Sequence, residues 1–172
     1  YNLEMLNLYV MRHAKSSWEN PDLSDYQRPL NKRGRHNAKL MKKIMKNKGM
    51  FFDFAYISGS QRTMETFKYI KDLNLRKKKI KKDHYLASPK ILLETIQSTK
   101  DKYKSILILN HEPAVKNLTM QLCSDLSNEG KILIQKFSTA GIATIIFKKR
   151  SWSEIKFGDG LLDEFIKPKD FY

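Results

Sequence analysis

Short apolar runs that stop abruptly at polar residues, with helical periodicity behind them, constrain this chain more than any other feature. Leu8 to Met11, Phe51 to Ser58 and Ser105 to Leu109 are rich in aliphatic, aromatic or β-branched side chains and too short for buried helices, so each reads as a buried strand. Asn31 is placed to cap a helix from Lys32 to about Lys46, with Ala38, Met41, Ile44 and Met45 as its inward stripe and Gly49 ending the segment. Ser60 is placed to cap another from Gln61 to about Leu73, carrying Met64, Phe67 and Ile70 at helical spacing. Glu112 and Pro113 open a third, in which Val115, Leu118, Thr119 and Leu122 share one side.

Between these, Ile80 to Leu86 is expected as a further strand and Pro89 to Ser98 as a short helix. Gly141 to Phe147 and Trp152 to Phe157 flank the turn signal Lys148 to Ser151, which predicts an antiparallel hairpin. Asp159 to Tyr172 is read as a tail that packs back through Leu161, Leu162 and Phe165. Alternating strands and helices up to Leu122 predict an α/β fold: a three-layer α/β/α sandwich with a largely parallel central sheet and an antiparallel C-terminal hairpin. A length of 172 residues suits one domain spanning 1–172, and Met5 as a natural start leaves Tyr1 to Glu4 as an extension or expression remnant.

No apolar run approaches the roughly 18 residues that a membrane span needs, and no basic, apolar and small-residue leader opens the chain. The lone Cys123, inside a helical pattern, reads as a small buried hydrophobe. A reducing, cytoplasmic location without membrane contact is expected. The net charge of +15 raises the question of a polyanionic partner. However, only seven of the 33 basic residues are arginine and the lysines are spread along the chain. The densest run, Arg76 to Lys82, lacks the aromatic interleaving that stacks bases and reads as a solvated connection. A non-catalytic basic module binding nucleic acid is therefore the remote alternative, recognisable by steep salt dependence.

Inner strands of a parallel sheet open at their carboxyl ends onto the crevice where such folds place ligands. Arg12 and His13 follow the first run, Arg62 falls in the helical turn after the second, and His111 follows the Ser105 to Leu109 run. Arg62 is electrostatically misplaced beside a positive helix end unless an anion lies between them. Two arginines and two imidazoles suit a dianionic phosphoryl group, which needs charge neutralisation, in-line positioning and a nucleophile. Zinc is the competing reading for the histidines. The adjacent arginines would repel it, and no third ligand has suitable spacing. No carboxylate cluster offers a magnesium site, so neither metal nor cofactor is expected. Ala14 to Leu30, with Pro21 and Pro29, is too irregular for a regular element and has the length of a functional loop.

RHAKSSW at 12–18, RPLNKRG at 28–34, SGSQRTMET at 58–66, LNHEPAV at 109–115 and FSTAGIATI at 137–145 occur in that order. Together they resemble the histidine phosphatase (phosphoglycerate mutase-like) superfamily, and within it the short SixA-like phosphohistidine phosphatases. The resemblance spans about residues 6 to 147. It implies that His13 takes the phosphoryl group as nucleophile, that Arg12, Arg62 and His111 hold its oxygens, and that water then hydrolyses the intermediate. Ser16 and Arg28 are candidates for substrate binding, with a structural role open for both. Ala14 stands where the family usually has glycine, and its extra methyl is tolerable where the backbone angles are ordinary.

Relatives that cleave phosphomonoesters carry an acidic proton donor between the second arginine and the second histidine. Tyr85-Leu86-Ala87-Ser88 occupies that region here, with Asp83 and Glu94 as the nearest carboxylates. An alkoxide needs a proton to leave, whereas an imidazole protonated on its ring leaves readily. The implied activity is thus a metal-independent phosphohydrolase acting on protein phosphohistidine and releasing phosphate. A small-molecule phosphomonoesterase using Asp83 or Glu94 is the alternative. A basic surface would also draw in an acidic phosphoprotein.

Overall fold

The computed structural model describes residues 5–73, 75–124 and 126–172, so the expectation for Tyr1 to Glu4 lies outside the described residues. Among the described residues six strands form one sheet: β1 (Leu6–Arg12), β2 (Phe54–Ser58), β3 (Lys77–Lys81), β4 (Ser105–Asn110), β5 (Ile142–Phe147) and β6 (Leu161–Ile166). Their spatial order is β3-β2-β4-β1-β5-β6. The first four are mutually parallel, β5 runs antiparallel to β1, and β6 runs antiparallel to β5.

The strict alternation of side chains along a strand feeds two cores. Leu8 and Val10 of β1, Phe54 and Tyr56 of β2, and Ile106 and Ile108 of β4 face one layer. Tyr9 and Met11, Ala55 and Ile57, and Leu107 and Leu109 face the other. The second layer is filled by α1 (Lys32–Asn47) through Ala38, Met41 and Met45, and by α2 (Gln61–Ile70) through Phe67 and Ile70. The first layer is filled by α3 (Pro89–Gln97), α4 (Ala114–Leu122) and α5 (Asn128–Gln135) through residues such as Leu92, Leu118 and Ile134. The three-layer α/β/α sandwich is therefore the observed architecture. Each fully buried Leu or Ile of these layers contributes about 1.5–3 kcal/mol of transfer free energy. Among the described residues, no helix is long and apolar enough to cross a membrane.

Several expectations need correction. The lysine-rich run is a strand rather than a connection: Lys77–Lys81 pairs in parallel with β2, and Lys82–His84 is a single 3-10 turn. The strand expected at Ile80 to Leu86 thus lies mostly earlier. β3 is a sheet edge, where exposed lysines blunt pairing with another chain. The C-terminal hairpin is antiparallel, but its second strand is Leu161–Ile166 and not Trp152 to Phe157. Trp152 instead sits in a 3-10 turn, fully buried, with its indole N–H donating to the Tyr103 carbonyl at 2.6 Å. α2 stops at Ile70, three residues before Leu73, and α5 had no counterpart in the sequence pattern.

Register sets the working edge of the sheet. Arg12 of β1 lies opposite Asn110 of β4, and Ile57 of β2 lies opposite Leu109, so His13 and His111 emerge at one level with Ser58 one residue behind them. The loop that follows β1 is pinned rather than loose. The Lys15 carbonyl accepts from the Asn31 N–H at 3.0 Å, and Ser17 N–H donates to the Pro29 carbonyl at 2.8 Å. Asn31 caps α1 by accepting from Gly34 N–H at 2.7 Å. Gly34 is required there by close approach, because a Cβ on it would lie 2.1 Å from the Lys15 carbonyl oxygen.

Candidate active site

An open cleft of about 320 Å³ lies beyond the carboxyl ends of β1 and β4, lined by Arg12, His13, Lys15, Ser16, Trp18, Arg28, Arg62, His111, Glu112 and Thr139. The sheet and its flanking helices hold the His13 backbone from several sides. His13 N–H donates to the Asn110 carbonyl at 3.1 Å and its own carbonyl accepts from Ala140 N–H at 3.0 Å. Ala14 N–H donates to the Thr66 hydroxyl oxygen at 3.0 Å.

The imidazole of His13 is 6% exposed, and its Nδ1 lies 2.6 Å from the Ala14 carbonyl oxygen. A carbonyl only accepts, so Nδ1 carries the proton and Nε2 of the neutral ring keeps its lone pair. Arg62 Nε donates to that Nε2 at 3.3 Å. Burial pushes the His13 pKa down to about 3, and His111, Arg62 and Arg12 push the same way against the bond to Ala14.

His111 lies beside it, with ring centroids 5.3 Å apart, but is tied by the opposite nitrogen. Its Nε2 is 2.8 Å from the Ser58 hydroxyl, while its Nδ1 is buried without a partner. Burial, then the charge of Arg62, lowers its pKa to about 3 as well. Both rings are therefore neutral at physiological pH.

Arg62, 5% exposed in the first turn of α2, donates through Nη1 to the Asp25 carbonyl at 2.5 Å and through Nη2 to the Asp25 carboxylate at 2.9 Å. Three of the five guanidinium N–H donors are thereby used, leaving two. Arg12 donates through Nη1 to the Phe137 carbonyl at 2.8 Å, and its buried Nε has no partner. Burial lowers its pKa, and the Glu112 carboxylate opposes that shift. Arg28 lies under the exposed Trp18 ring, 3.4 Å from its centroid, and its Nε and Nη1 are buried without hydrogen-bond partners. Its Nε stands 3.3 Å from an Asp25 carboxylate oxygen, close enough for charge attraction but not aligned for a hydrogen bond. Buried donors seldom stay unpaired, so four such nitrogens on Arg12, Arg28 and His111 mark the cleft as a place for an acceptor-rich anion.

The family model of the histidine phosphatase superfamily (branch 1) matches residues 8–86, the stretch that carries Arg12, His13, Ser16, Arg28 and Arg62. Over that stretch the chain is similar to the histidine phosphatase superfamily. An uncharacterized protein of Mycobacterium tuberculosis is 28% identical to it over 164 residues, covering 92% of this chain and all of that relative. A candidate phosphohistidine phosphatase SixA of Nakamurella multipartitia shares the fold with a TM-score of 0.85 at 17% identity, covering 95% of this chain and 96% of that one. A protein histidine phosphatase SixA complexed with tungstate has a TM-score of 0.80 at 20% identity, covering 97% of this chain and all of that one.

The cleft brings together all six residues singled out from sequence: Arg12, His13, Ser16, Arg28, Arg62 and His111. Asp83 and Glu94 are not among its lining. Asp83 is exposed beside Lys81 at 3.5 Å, and Glu94 is exposed on α3. Two carboxylates that sequence reasoning passed over do matter. Asp25 accepts from Tyr85 and Arg62, and these partners outweigh its partial burial to hold its pKa at about 2. Glu112 lines the cleft and accepts through Oε1 from Lys116 N–H at 3.1 Å. Its place directly after His111 at a helix start was the available signal. Asp25 offered none, since its partners lie 37 and 60 residues away.

Proposed function

We propose that this phosphatase works through a phosphohistidine intermediate on His13 and that its substrate is phosphohistidine on a protein. The observation that carries the reading is the tethering of His13 Nδ1 to the Ala14 carbonyl, which presents the Nε2 lone pair to the cleft beside Arg62. The Nε2 lone pair attacks phosphorus, the P–N bond to the substrate imidazole breaks, and the leaving ring departs neutral because its other nitrogen is protonated. Water then attacks the phosphorus on His13, breaking the new P–N bond and releasing phosphate. Arg12 and Arg62 neutralise the equatorial oxygens. With the Ser58 hydroxyl donating to Nε2 of His111, Nδ1 carries a proton and offers it to a third oxygen. Arg28, stacked under Trp18, contributes donors at the outer rim, and Ser16 a hydroxyl on the wall. That a SixA of the same fold was captured with tungstate, a tetrahedral oxyanion, is consistent with this use of the cleft. No step requires a metal.

The leaving group decides the substrate class. Asp25, with a pKa of about 2, holds no proton to donate, and neither Asp83 nor Glu94 lines the cleft. A second reading, a small-molecule phosphomonoesterase, is favoured by one observation only, namely that Glu112 lines the cleft and could protonate an alkoxide. The purified protein should release phosphate from phosphohistidine in EDTA, and His13→Ala should abolish the release. Glu112→Gln should leave phosphohistidine turnover within about twofold, whereas loss of a general acid costs about 10²–10⁴ in rate. A wild-type preference for alkyl phosphates that disappears in Glu112→Gln would transfer the assignment to the second reading.

A further inference from the structure

A second cleft, of about 310 Å³, adjoins the catalytic one and shares Arg12, Lys15 and Thr139 with it. Arg33 in the first turn of α1, Lys136 just after α5, and Lys167 and Lys169 just after β6 supply its other cations. Among the described residues only Lys167 of these has an ion-pair partner, Asp170 at 3.1 Å. Lys15, Arg33, Lys136 and Lys169 converge on one concavity with their charges unpaired, although like charges gathered together disfavour the folded state. Lysines without an ion pair occur elsewhere among the described residues too, as at Lys77, Lys78 and Lys79 along β3, so it is the convergence on one concavity that sets this group apart. The opposite flank of the catalytic cleft is apolar, a hollow shared with His111 and Glu112 and lined by Leu86, Pro89 and Pro113. Charge is therefore concentrated on one side of the phosphoryl site.

We propose that the second cleft docks acidic side chains of a protein substrate, on one side of the residue whose phosphoryl group enters the first. The inference rests on the reading of the His13 cleft as a protein phosphohistidine phosphatase. Mobile lysine ammoniums dominate the set, and its one fork besides Arg12 is Arg33. That composition suits several carboxylates on a pliable segment better than a single fixed phosphate, which calls for converging arginines. The shared wall at Arg12, Lys15 and Thr139 lets a chain seated on His13 continue directly into the cationic concavity. Carboxylates there would speed encounter and fix the direction in which the substrate lies.

The test uses the full chain and the double variant Arg33→Glu/Lys136→Glu, both positions being exposed and outside the catalytic cleft. Free phosphohistidine, a phosphohistidine peptide with Asp and Glu flanks, and one with Gln and Ala flanks are compared at low and physiological salt. The variant should lose about tenfold or more in kcat/KM on the acidic peptide, through KM, and less than about twofold on free phosphohistidine, which also reports that it is folded. Equal losses on all three substrates, or none on the acidic peptide, overturn the proposal. An unphosphorylated acidic peptide should also bind the wild type and slow aryl phosphate turnover competitively, and should do neither in the variant. If phosphohistidine is not cleaved at all while that competition persists, the substrate assignment fails and the docking cleft stands. If phosphohistidine is cleaved but the acidic peptide neither binds nor competes, the docking cleft fails alone.

Discussion

His13 and His111 occupy matched positions, each one residue past the end of a neighbouring parallel strand, and burial lowers the pKa of each to about 3. They differ in which ring nitrogen the protein holds. His13 is tied through Nδ1 to a carbonyl and turns Nε2 to Arg62 in the cleft, whereas His111 is tied through Nε2 to the Ser58 hydroxyl and leaves Nδ1 without a partner. In the proposed mechanism the carbonyl beside the first ring suits it to nucleophilic attack, and a Ser58 hydroxyl that donates to the second suits that ring to hydrogen-bond donation. Residue type and strand position alone do not separate the two roles. The neighbouring hydrogen bond does.

That contrast can be broken experimentally. Removing the charge that faces His13 should have the largest effect short of removing His13 itself: Arg62→Ala should lower kcat by about 10³ or more, as expected for a transition-state arginine. A steady-state loss of tenfold or less would mean that Arg62 serves Asp25 and the loop rather than the phosphoryl group. His111→Asn should be milder, about 10²–10³ in kcat, the scale of one lost oxyanion donor. If it instead matches His13→Ala, the two rings share one role. Ser58→Ala frees the tautomer of His111 without removing its ring and should cost on the order of one neutral hydrogen bond, about 0.5–1.5 kcal/mol in the barrier.

The smallest effect is on stability. Both histidines are held neutral in the folded chain with pKa about 3, while an unfolded histidine titrates near the ordinary 6.5. The unfolded chain therefore binds more protons between those values. This contribution to stability is complete above about pH 6.5 and is lost progressively as pH falls towards 3. In thermal unfolding across that window, His13→Ala and His111→Ala should each flatten the slope of Tm against pH. An unchanged slope in both would show that neither ring is desolvated as described.

Arg12, His13 and His111 were legible because each stands where an apolar run ends, and Arg62 because it lies in the helical turn after one, and ends of adjacent parallel strands must lie side by side. Asn31 was legible as a helix cap for a local reason, and its side chain does accept from Gly34 N–H. What escaped notice depends on contacts that no local period records. Asp25 lies in an irregular loop, and only the folded chain brings it to Arg62 and Tyr85. The cation-π contact of Trp18 with Arg28 joins two points of that same loop. β3 reads as a solvated run because Lys77, Lys78 and Lys79 are exposed on an edge, where charge is what an edge strand requires. β6 was misplaced because its apolar residues come in pairs, 161–162 and 165–166, and an irregularity between Thr144 and Ile145 shifts its pairing with β5.

Rapid quenching of the reaction with ³²P-labelled phosphohistidine, followed by peptide mapping of the trapped protein, tests the central assignment most directly. An acid-labile, alkali-stable phosphoryl group on Nε2 of His13, formed within one turnover and absent from His13→Ala, is the predicted result. Label on His111, or full turnover with no label on either ring, would contradict it.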